Sequence, residues 1–380
     1  MLFYFLHGFA KDHIDMTYID SLSYEQYMRG QWDDLLQTGR IAKQHQIDFM
    51  YLQQRLGYAH FVKKQYYQSM MHYDKAAKFG KDEITQLYQY YNALYTNNTA
   101  FARYHASHLS VESKEYLKIP KFKIIDAIDI EYSHKIPATT SIHNASYKRI
   151  GLNSLLGYRL NLYQSFSHFS QSTDTTATRQ TEYLALVKWI PFTHTNFDLA
   201  YHFVGANVNY GGSNYFYLGH VLYGKATQQL NRFDLSLSGG FYMSELLDSK
   251  QIGLHLAVNF AGEIPIKLTS SVYQVFETTQ TNGSENRQIF KQVIGVSPYK
   301  KLWTEAFINI GNLNYFIDAN ALYIYNSLDS TVFRTGGSVF YYICKPLTMY
   351  VNYTFDKKNI AYSNQLYNQH SITGGFIWQF

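Results

Sequence analysis

Cysteine is almost missing from this sequence, since Cys344 is the only one in 380 residues. A single cysteine excludes a disulfide framework within the chain and any cysteine-based zinc site. Charged residues make up only 16% of the chain, and there are only 6 prolines. No run approaches the roughly 18 consecutive apolar residues that a membrane-spanning helix requires. The sequence therefore fits neither a small disulfide-stabilised scaffold nor a helical membrane protein.

Aromatic residues, in contrast, are abundant. The chain contains 37 Tyr and 26 Phe, and aromatic residues account for 18% of it. Low charge together with many aromatic residues is typical of a transmembrane β-barrel, whose strands alternate apolar and polar residues and whose tyrosines collect at the two membrane interfaces. The net charge of +5 is small and not clustered, so nucleic acid is not expected as a partner.

The first ten residues, Met1–Ala10, do not resemble a working signal peptide. They contain no Lys or Arg, and His7 interrupts a short apolar run. An outer-membrane protein must be exported, so this observation conflicts with the barrel interpretation. Either the start of the sequence is missing or misplaced, or the barrel interpretation is wrong.

Residues 1–118 are predicted to form a helical domain. From Ser23 to about Ser110 the apolar residues recur with helical spacing and no proline interrupts them. Asp48 and Asp82 are predicted N-caps, because a short side-chain oxygen can accept hydrogen bonds from the free amides of a first helical turn. The predicted helical pieces are Trp32–His45, Asp48–Lys63, Tyr66–Phe79, Asp82–Thr96 and Thr99–Leu109.

The helical pieces repeat, because Asp48 and Asp82 are separated by 34 residues. A helix–turn–helix unit of that length is the tetratricopeptide period. An ordinary helical bundle is the alternative, and the stack is short for independent stability. The positions that resemble the core of the tetratricopeptide motif are Leu56, Gly57, Ser69, Tyr73 and Ala76.

Residues 119–380 are predicted to form a transmembrane antiparallel β-barrel. The last segment, Ser371–Phe380, alternates strictly, and Phe233–Gly240 and Ile252–Asn259 do the same. A soluble β-sandwich also alternates, but it would not usually place so many aromatic residues at strand ends. The predicted fold class is therefore α+β in two domains, with TPR-like helices followed by the barrel.

The strand count is predicted to be about 14, with 16 as the alternative. Fifteen segments look like strands, but a chain that enters and leaves from the same side of a membrane needs an even number. Counting from both ends places the conflict at Lys301–Asn326. This piece is either one long bent strand or contains an extra hairpin.

The C-terminus carries a family resemblance. Phe380, with Trp378 and Phe376 at alternate positions before it, resembles the terminal assembly signal of bacterial outer-membrane proteins. The resemblance implies insertion by the barrel-assembly machinery. Helical repeats followed by such a barrel resemble the tetratricopeptide–barrel exporters, which include polysaccharide secretins, YaiO-like barrels and the surface lipoprotein assembly modulators. This resemblance implies the bacterial outer membrane, with the helical domain in the periplasm.

Charged residues on the polar faces of the strands are the candidates for lining the lumen. They could pair across the barrel, or they could line a path for a polar passenger. The candidates are Arg159, Glu182, Lys188, Asp198, His202, Asp234, His255, Lys267, Lys291, Glu305, Asp318 and Arg334.

Partner-binding candidates come from the helical domain, where rigid tyrosines could contribute contact area. These are Tyr51, Tyr58, Tyr73 and Tyr88. We expect neither a metal site nor a cofactor.

The leading functional hypothesis is export or assembly of a surface macromolecule, either protein or polysaccharide. The barrel would be the conduit, and the periplasmic helices would dock the cargo or a partner protein. A non-transporting scaffold of an envelope complex is the second hypothesis. An outer-membrane lipid hydrolase is the third, with His255 and either Ser236 or Ser238 as base and nucleophile. The expectation is that the chain is not an enzyme.

Overall fold

The computed structural model describes residues 14–245, 247–260, 264–279, 283–327, 329–361 and 365–380. The chain divides into two compact units, Met1–Ser113 and Lys114–Phe380. Helices form the first unit, and a closed β-barrel forms most of the second. Met1–Ala10, the segment considered for a signal peptide, lies outside the described residues.

The helices of the described residues follow one another with short connections. Three consecutive pairs can be recognised, whose first helices begin at Met16, Met50 and Glu83. None of the described helices combines the length and the apolar character that a membrane-spanning helix requires. The helices are α1 (Met16–Met28), α2 (Trp32–Gln44), α3 (Met50–Val62), α4 (Tyr66–Phe79), α5 (Glu83–Tyr95), α6 (Thr99–Ala106) and α7 (Val111–Tyr116).

One of the two predicted N-caps is confirmed and the other is wrong. The carboxylate of Asp82 accepts a hydrogen bond from the amide of Thr85 at 2.9 Å, as an N-cap should. Asp48 lies one position too early, because Phe49 is the residue before α3. Its carboxylate accepts from Nε2 of Gln53 at 2.6 Å instead.

Fourteen antiparallel strands form the closed wall of the barrel, and β1 pairs with both β2 and β16. This confirms the predicted fold class and the preferred strand number. The wall strands are β1 (Phe122–Pro137), β2 (Ala145–Leu156), β3 (Leu160–Ser172), β4 (Thr176–Phe192), β5 (Thr195–Tyr210), β6 (Ser213–Leu230), β7 (Phe233–Ser244), β8 (Leu247–Phe260), β9 (Ile266–Thr279), β10 (Gly283–Tyr299), β11 (Leu302–Ile310), β14 (Ser330–Cys344), β15 (Leu347–Asn359) and β16 (Leu366–Gln379).

The conflict at Lys301–Asn326 is resolved by a segment that leaves the wall. β11 ends at Ile310 and pairs directly with β14, so residues 311–327 contribute no wall strand. We call residues 311–327 the inner segment. It contains only a two-residue ladder between β12 (Ile317–Asp318) and β13 (Tyr323–Ile324). Lys301–Asn326 is therefore not one long bent strand. It contains the wall strand β11 followed by an extra antiparallel ladder, β12–β13, which lies outside the wall and adds no wall strand.

Side chains of the wall alternate between the lumen and the outer face. On β16, Phe376 and Trp378 lie on the outer face and are 43% and 46% exposed. Gln369 and Ser371, on the opposite face of the same strand, are buried in the interior. Because the side-chain period of a strand is two residues, each strand supplies one face to the outside and one to the lumen. The functional question is therefore what the lumen contains.

Candidate functional site

The inner segment lies inside the barrel and packs on one part of its wall. Leu313, Phe316, Ile317 and Ala321 are completely or almost completely buried. Burial of such side chains is favourable by about 1.5–3 kcal/mol each. We call the lumen face of β4–β10 the apolar half of the wall. Its residues that share a hydrophobic cluster with residues of the inner segment are Leu184, Leu186, Ala200, Val221, Tyr223, Tyr242, Leu247, Tyr273, Val275 and Ile289.

Side chains of the apolar half also hold the backbone of the inner segment. Gln251 accepts from the amide of Ile317 and donates to its carbonyl, both at 3.0 Å. Nδ1 of His202 donates to the carbonyl of Ala321 at 2.6 Å. A buried backbone group without a partner costs about 1–3 kcal/mol, so these bonds make the buried position possible.

The inner segment contains three consecutive residues in the left-handed region. Ala319, Asn320 and Ala321 have φ values of 51°, 57° and 65°. This conformation is unfavourable for residues other than glycine and costs on the order of 1–3 kcal/mol each. Contacts with the wall compensate for this cost, since Asn320 donates to the carboxylate of Asp198 at 3.1 Å and accepts from the hydroxyl of Tyr223.

The lumen face of β14–β16 and β1–β3, which we call the charged half, is different. Its centre is Arg149, whose guanidinium lies 3.0 Å from Glu131 and 3.4 Å from Asp129. Glu131 also accepts hydrogen bonds from the hydroxyls of Tyr350 at 2.5 Å and Tyr323 at 3.2 Å. A buried charge of this kind is stable only because it is paired and hydrogen-bonded.

Further ion pairs lie in the lumen, and two of them involve the charged half and the inner segment. Arg334 contacts Asp356 at 3.3 Å between neighbouring strands of the charged half. Lys291, on β10, contacts Asp318 of the inner segment at 2.6 Å. The second pair therefore ties the inner segment to the wall by charge as well as by apolar contact.

A large cavity of about 1710 Å³ remains beside the inner segment. Its lining includes Asp126 and Gln379, at the end of the barrel where β1 begins and β16 ends. It also includes Asp174 and Tyr210, at the opposite end. The charged half contributes most of the wall between them. The inner segment thus packs mainly on the apolar half of the wall, and Tyr323 reaches across to Glu131 of the charged half.

A small cavity of about 260 Å³ lies on the other side of the inner segment. Lys225, Lys267 and His255 line it from the wall, and Asp318 and Asn320 line it from the inner segment. It is less than a sixth of the volume of the large cavity, so the large cavity is the main open space of the lumen.

The structure places most of the predicted lumen residues on the polar face of a wall strand. Asp318 belongs to the inner segment instead. Arg159 is an exception of another kind, because β3 begins only at Leu160 and Arg159 lies in the connection after β2, where it donates to the carbonyl of Pro191. The residues on the lumen face of wall strands are Glu182, Lys188, Asp198, His202, Asp234, His255, Lys267, Lys291, Glu305 and Arg334.

The most strongly interacting charges of the charged half are not among the predicted residues. β1 and β2 carry charged residues on both faces, as in Lys148 beside Arg149, so charge alone does not identify the lumen side. The apolar neighbours identify the lumen side, because adjacent side chains of a strand point to opposite faces. Ile130 precedes Glu131 and Ile150 follows Arg149, and both isoleucines are exposed on the outer face. The lumen residues that sequence reasoning missed are Asp129, Glu131, Arg149, Asp356 and Lys358.

His255 contacts two serines rather than a catalytic set. Its Nε2 lies 2.8 Å from Oγ of Ser238, and its Nδ1 lies 3.0 Å from Oγ of Ser271. Ser236 is bonded to Thr227 instead. Among the described residues no carboxylate is hydrogen-bonded to His255, so the group that would orient a catalytic base is not provided by these contacts.

The four candidate tyrosines of the helical unit differ in exposure. Tyr73 is 1% exposed and belongs to the core, and its burial raises the pKa of its hydroxyl. Tyr51 is 58% exposed. Tyr58 and Tyr88 are partly exposed, and their ring centroids are 5.4 Å apart. Tyr58 and Tyr88 therefore present aromatic surface, whereas Tyr73 supports them from below by stacking on Tyr88 at 5.2 Å.

Comparison with known proteins shows similarity of fold only. The sequence matches no protein-family model and no curated protein. Among solved structures, a bacterial polysaccharide outer membrane secretin aligns over 68% of this chain and 99% of its own, with 9% identity and a TM-score of 0.42. The CymD monoaromatic hydrocarbon channel aligns over 76% of this chain and 92% of its own, with 8% identity and a TM-score of 0.46.

A third similar structure is the translocator domain of the autotransporter NalP from Neisseria meningitidis. It aligns over 76% of this chain and 99% of its own, with 11% identity and a TM-score of 0.34. These three structures are a secretin, a channel and a translocator domain, so their described roles differ from one another.

Proposed function

We propose that this chain is an outer-membrane conduit that exports or assembles a surface macromolecule. In this proposal the helical unit lies in the periplasm and docks cargo or a partner protein. The observation that carries the proposal is the large cavity, whose lining reaches both ends of the barrel beside the inner segment.

The outer surface supports a position in a membrane. Large apolar side chains lie on the outer face around the barrel, and water-soluble proteins rarely expose so large a contiguous apolar surface. Aromatic residues cluster near both ends, as in the interfacial girdles of membrane barrels. Exposed members of the apolar belt are Ile130, Ile150, Leu199, Leu222, Leu237, Ile252, Leu254, Val272, Val351 and Ile372, and aromatic residues near the strand ends are Trp189, Phe192, Phe216, Phe241, Phe276, Trp378 and Phe380.

The helical unit supports a docking role through its repeats. The second helices of its three pairs begin at Trp32, Tyr66 and Thr99, so the pairs repeat every 33 or 34 residues. This spacing matches the tetratricopeptide period, and such arrays usually bind other proteins. A row of aromatic rings in mutual contact forms the proposed docking surface. The row comprises Tyr27, Trp32, Tyr58, Phe61, Tyr66, Tyr88 and Tyr95.

Site-specific photo-crosslinking in cells tests the docking surface. A photoreactive amino acid at Tyr88 should give a defined adduct, because this position lies within the aromatic row. The same amino acid at Phe79, which is exposed at the end of α4 and outside the row, is the matched control. Equal adducts at both positions would contradict the docking role.

Single-channel conductance of the purified full chain in planar bilayers tests the conduit. Steady conductance is expected, because the large cavity is open beside the inner segment. Heat-dependent electrophoretic mobility and circular dichroism verify that the barrel is folded before each recording. A folded barrel without conductance would contradict the conduit.

A non-transporting scaffold is the second candidate, and the inner segment is the observation that favours it. A polypeptide packed through the lumen is also what a closed structural barrel requires. The conductance measurement separates the two functions. The lipid hydrolase receives no support from the contacts of His255 described above, and unchanged lipid turnover in His255→Ala would agree with that geometry.

A further inference from the structure

The charge of the large cavity differs from the charge of the chain. Ten acidic side chains and five basic side chains are among the described residues that line it. The whole chain has a net charge of +5. The lining is therefore acidic in a basic protein, and a charged wall of low dielectric concentrates ions of the opposite sign.

Three of the five basic side chains of the lining are paired with carboxylates. Arg149 is paired with Glu131 and Asp129, Arg334 with Asp356, and Lys291 with Asp318. Each of these cations has at least one carboxylate within 3.4 Å. Their positive charge is thus balanced by the neighbouring carboxylates and does not extend into the cavity.

Several carboxylates of the lining, in contrast, are held by neutral donors. Glu182 accepts from Oγ of Ser167 at 2.6 Å and lies 3.5 Å from Nε2 of His202, which carries a charge only when it is protonated. Asp329 accepts from the hydroxyl of Tyr367 at 2.9 Å. Glu305 accepts from Nε1 of Trp303 at 2.8 Å. A neutral donor positions a carboxylate without cancelling its charge. These three groups therefore leave negative charge directed at the cavity.

The aromatic lining favours cations as well. The guanidinium of Arg149 lies 5.9 Å from the ring centre of Tyr323, and that of Arg334 lies 5.3 Å from the ring centre of Tyr325. The face of an aromatic ring attracts a cation through its quadrupole. The cavity wall thus already stabilises two cations of the chain itself by the combination of carboxylate and tyrosine ring.

We propose that the path through the large cavity admits cations in preference to anions. This inference rests on the proposed conduit and specifies the sign of the charge of the ions that pass through it. Glu182 and Asp329 are its selectivity-determining residues, because neither is bonded to a lysine or an arginine among the described contacts and they lie on different sides of the cavity lining, on β4 and just before β14.

The test is the reversal potential of the full chain in a KCl gradient across a planar bilayer. The native protein should pass K⁺ more readily than Cl⁻. The reversal potential should shift toward zero in the double variant Glu182→Gln with Asp329→Asn. Asp248→Asn is the matched control, because Asp248 lies on the outer face of β8 and does not line the cavity, and it should leave the reversal potential unchanged.

Anion selectivity, or no selectivity, would overturn the inference while leaving the conduit intact. Anion selectivity would point instead to the small cavity, where Lys225 and Lys267 have no carboxylate within ion-pair distance among the described contacts. Absence of current in a folded protein would overturn the conduit. Titration calorimetry with spermine then decides the cation preference separately: weaker binding to the double variant than to Asp248→Asn supports it, and equal binding overturns it.

Discussion

The two halves of the lumen wall have the same strand geometry but differ in the side chains that face the lumen. The apolar half faces the inner segment, and residues such as Val221, Val275 and Ile289 are completely buried there. The charged half faces the cavity with ion pairs centred on Arg149 and Arg334. Apolar residues on the lumen side of a barrel therefore mark the place where polypeptide fills it, and polar residues mark the place where space remains.

The largest expected effect on stability comes from removing an apolar contact between the inner segment and the apolar half. Phe316→Ala should lower the free energy of unfolding by about 3–5 kcal/mol, because Phe316 is fully buried against Tyr273 and Tyr325. It should also raise the conductance as the inner segment loosens. Denaturant titration in detergent micelles and planar-bilayer recording measure the two effects. Phe290→Ala, on the outer face of β10, is the matched control, and a loss of stability as large as that of Phe316→Ala would contradict the prediction.

The next largest effect on stability comes from removing the central cation of the charged half. Arg149→Ala should cost about 3 kcal/mol, because it leaves Glu131 and Asp129 buried without their cation. This is the lower end of the range for a broken buried pair, since the cavity can admit water to the carboxylates. Arg149→Lys should recover part of the loss. Lys148→Ala removes the neighbouring cation from the outer face, and its effect on the same denaturant titration should be small.

A smaller effect comes from the polar attachment of the inner segment. Gln251→Leu removes both hydrogen bonds to Ile317 and leaves its amide and carbonyl without these partners. The expected loss is about 1–3 kcal/mol. Gln251→Glu keeps the acceptor but not the donor, so its unfolding midpoint should lie between those of the native protein and the leucine variant. Equal midpoints for all three would show that these bonds do not hold the segment.

The smallest effect near neutral pH comes from His72, a partly exposed side chain of the helical unit that is polar but uncharged. Burial, together with His60, whose ring is stacked 5.1 Å away, and Lys75, lowers the pKa of His72 to about 3. Nδ1 of His72 lies 2.6 Å from Oε1 of Gln53. As the pH falls, this histidine is protonated in the unfolded chain before it is protonated in the folded chain. The stability contributed by neutral His72 is therefore fully present above about pH 6.5 and is lost as the pH falls from there toward 3.

Each unit of pKa difference corresponds to about 1.4 kcal/mol. Helical circular dichroism of the full chain between pH 7 and pH 5 should show melting at lower temperature at the acidic end. His72→Gln should weaken this dependence, whereas His45→Gln, an exposed residue after α2, should retain it. An unchanged dependence in His72→Gln would assign the acid sensitivity to other groups.

The sequence predicted the closed barrel and its 14 strands because alternation is a local property of each strand. It did not predict the inner segment, since Leu313, Tyr315 and Ile317 alternate as they would in a wall strand. The difference lies in what covers them, which is long-range information. The pairing of Arg149 with Glu131 was missed for a related reason: two adjacent strands must be in register before opposite charges can be recognised as partners.

The wall register also has a consequence for how this barrel can change. β11 and β14 pair continuously, with Ile310 opposite Phe333, so the wall closes without help from residues 311–327. The inner segment therefore leaves the wall and re-enters it at neighbouring points, as an insertion between two adjacent strands. Replacement of that one stretch of chain would change what fills the lumen while the hydrogen-bonded ladder around it stays the same.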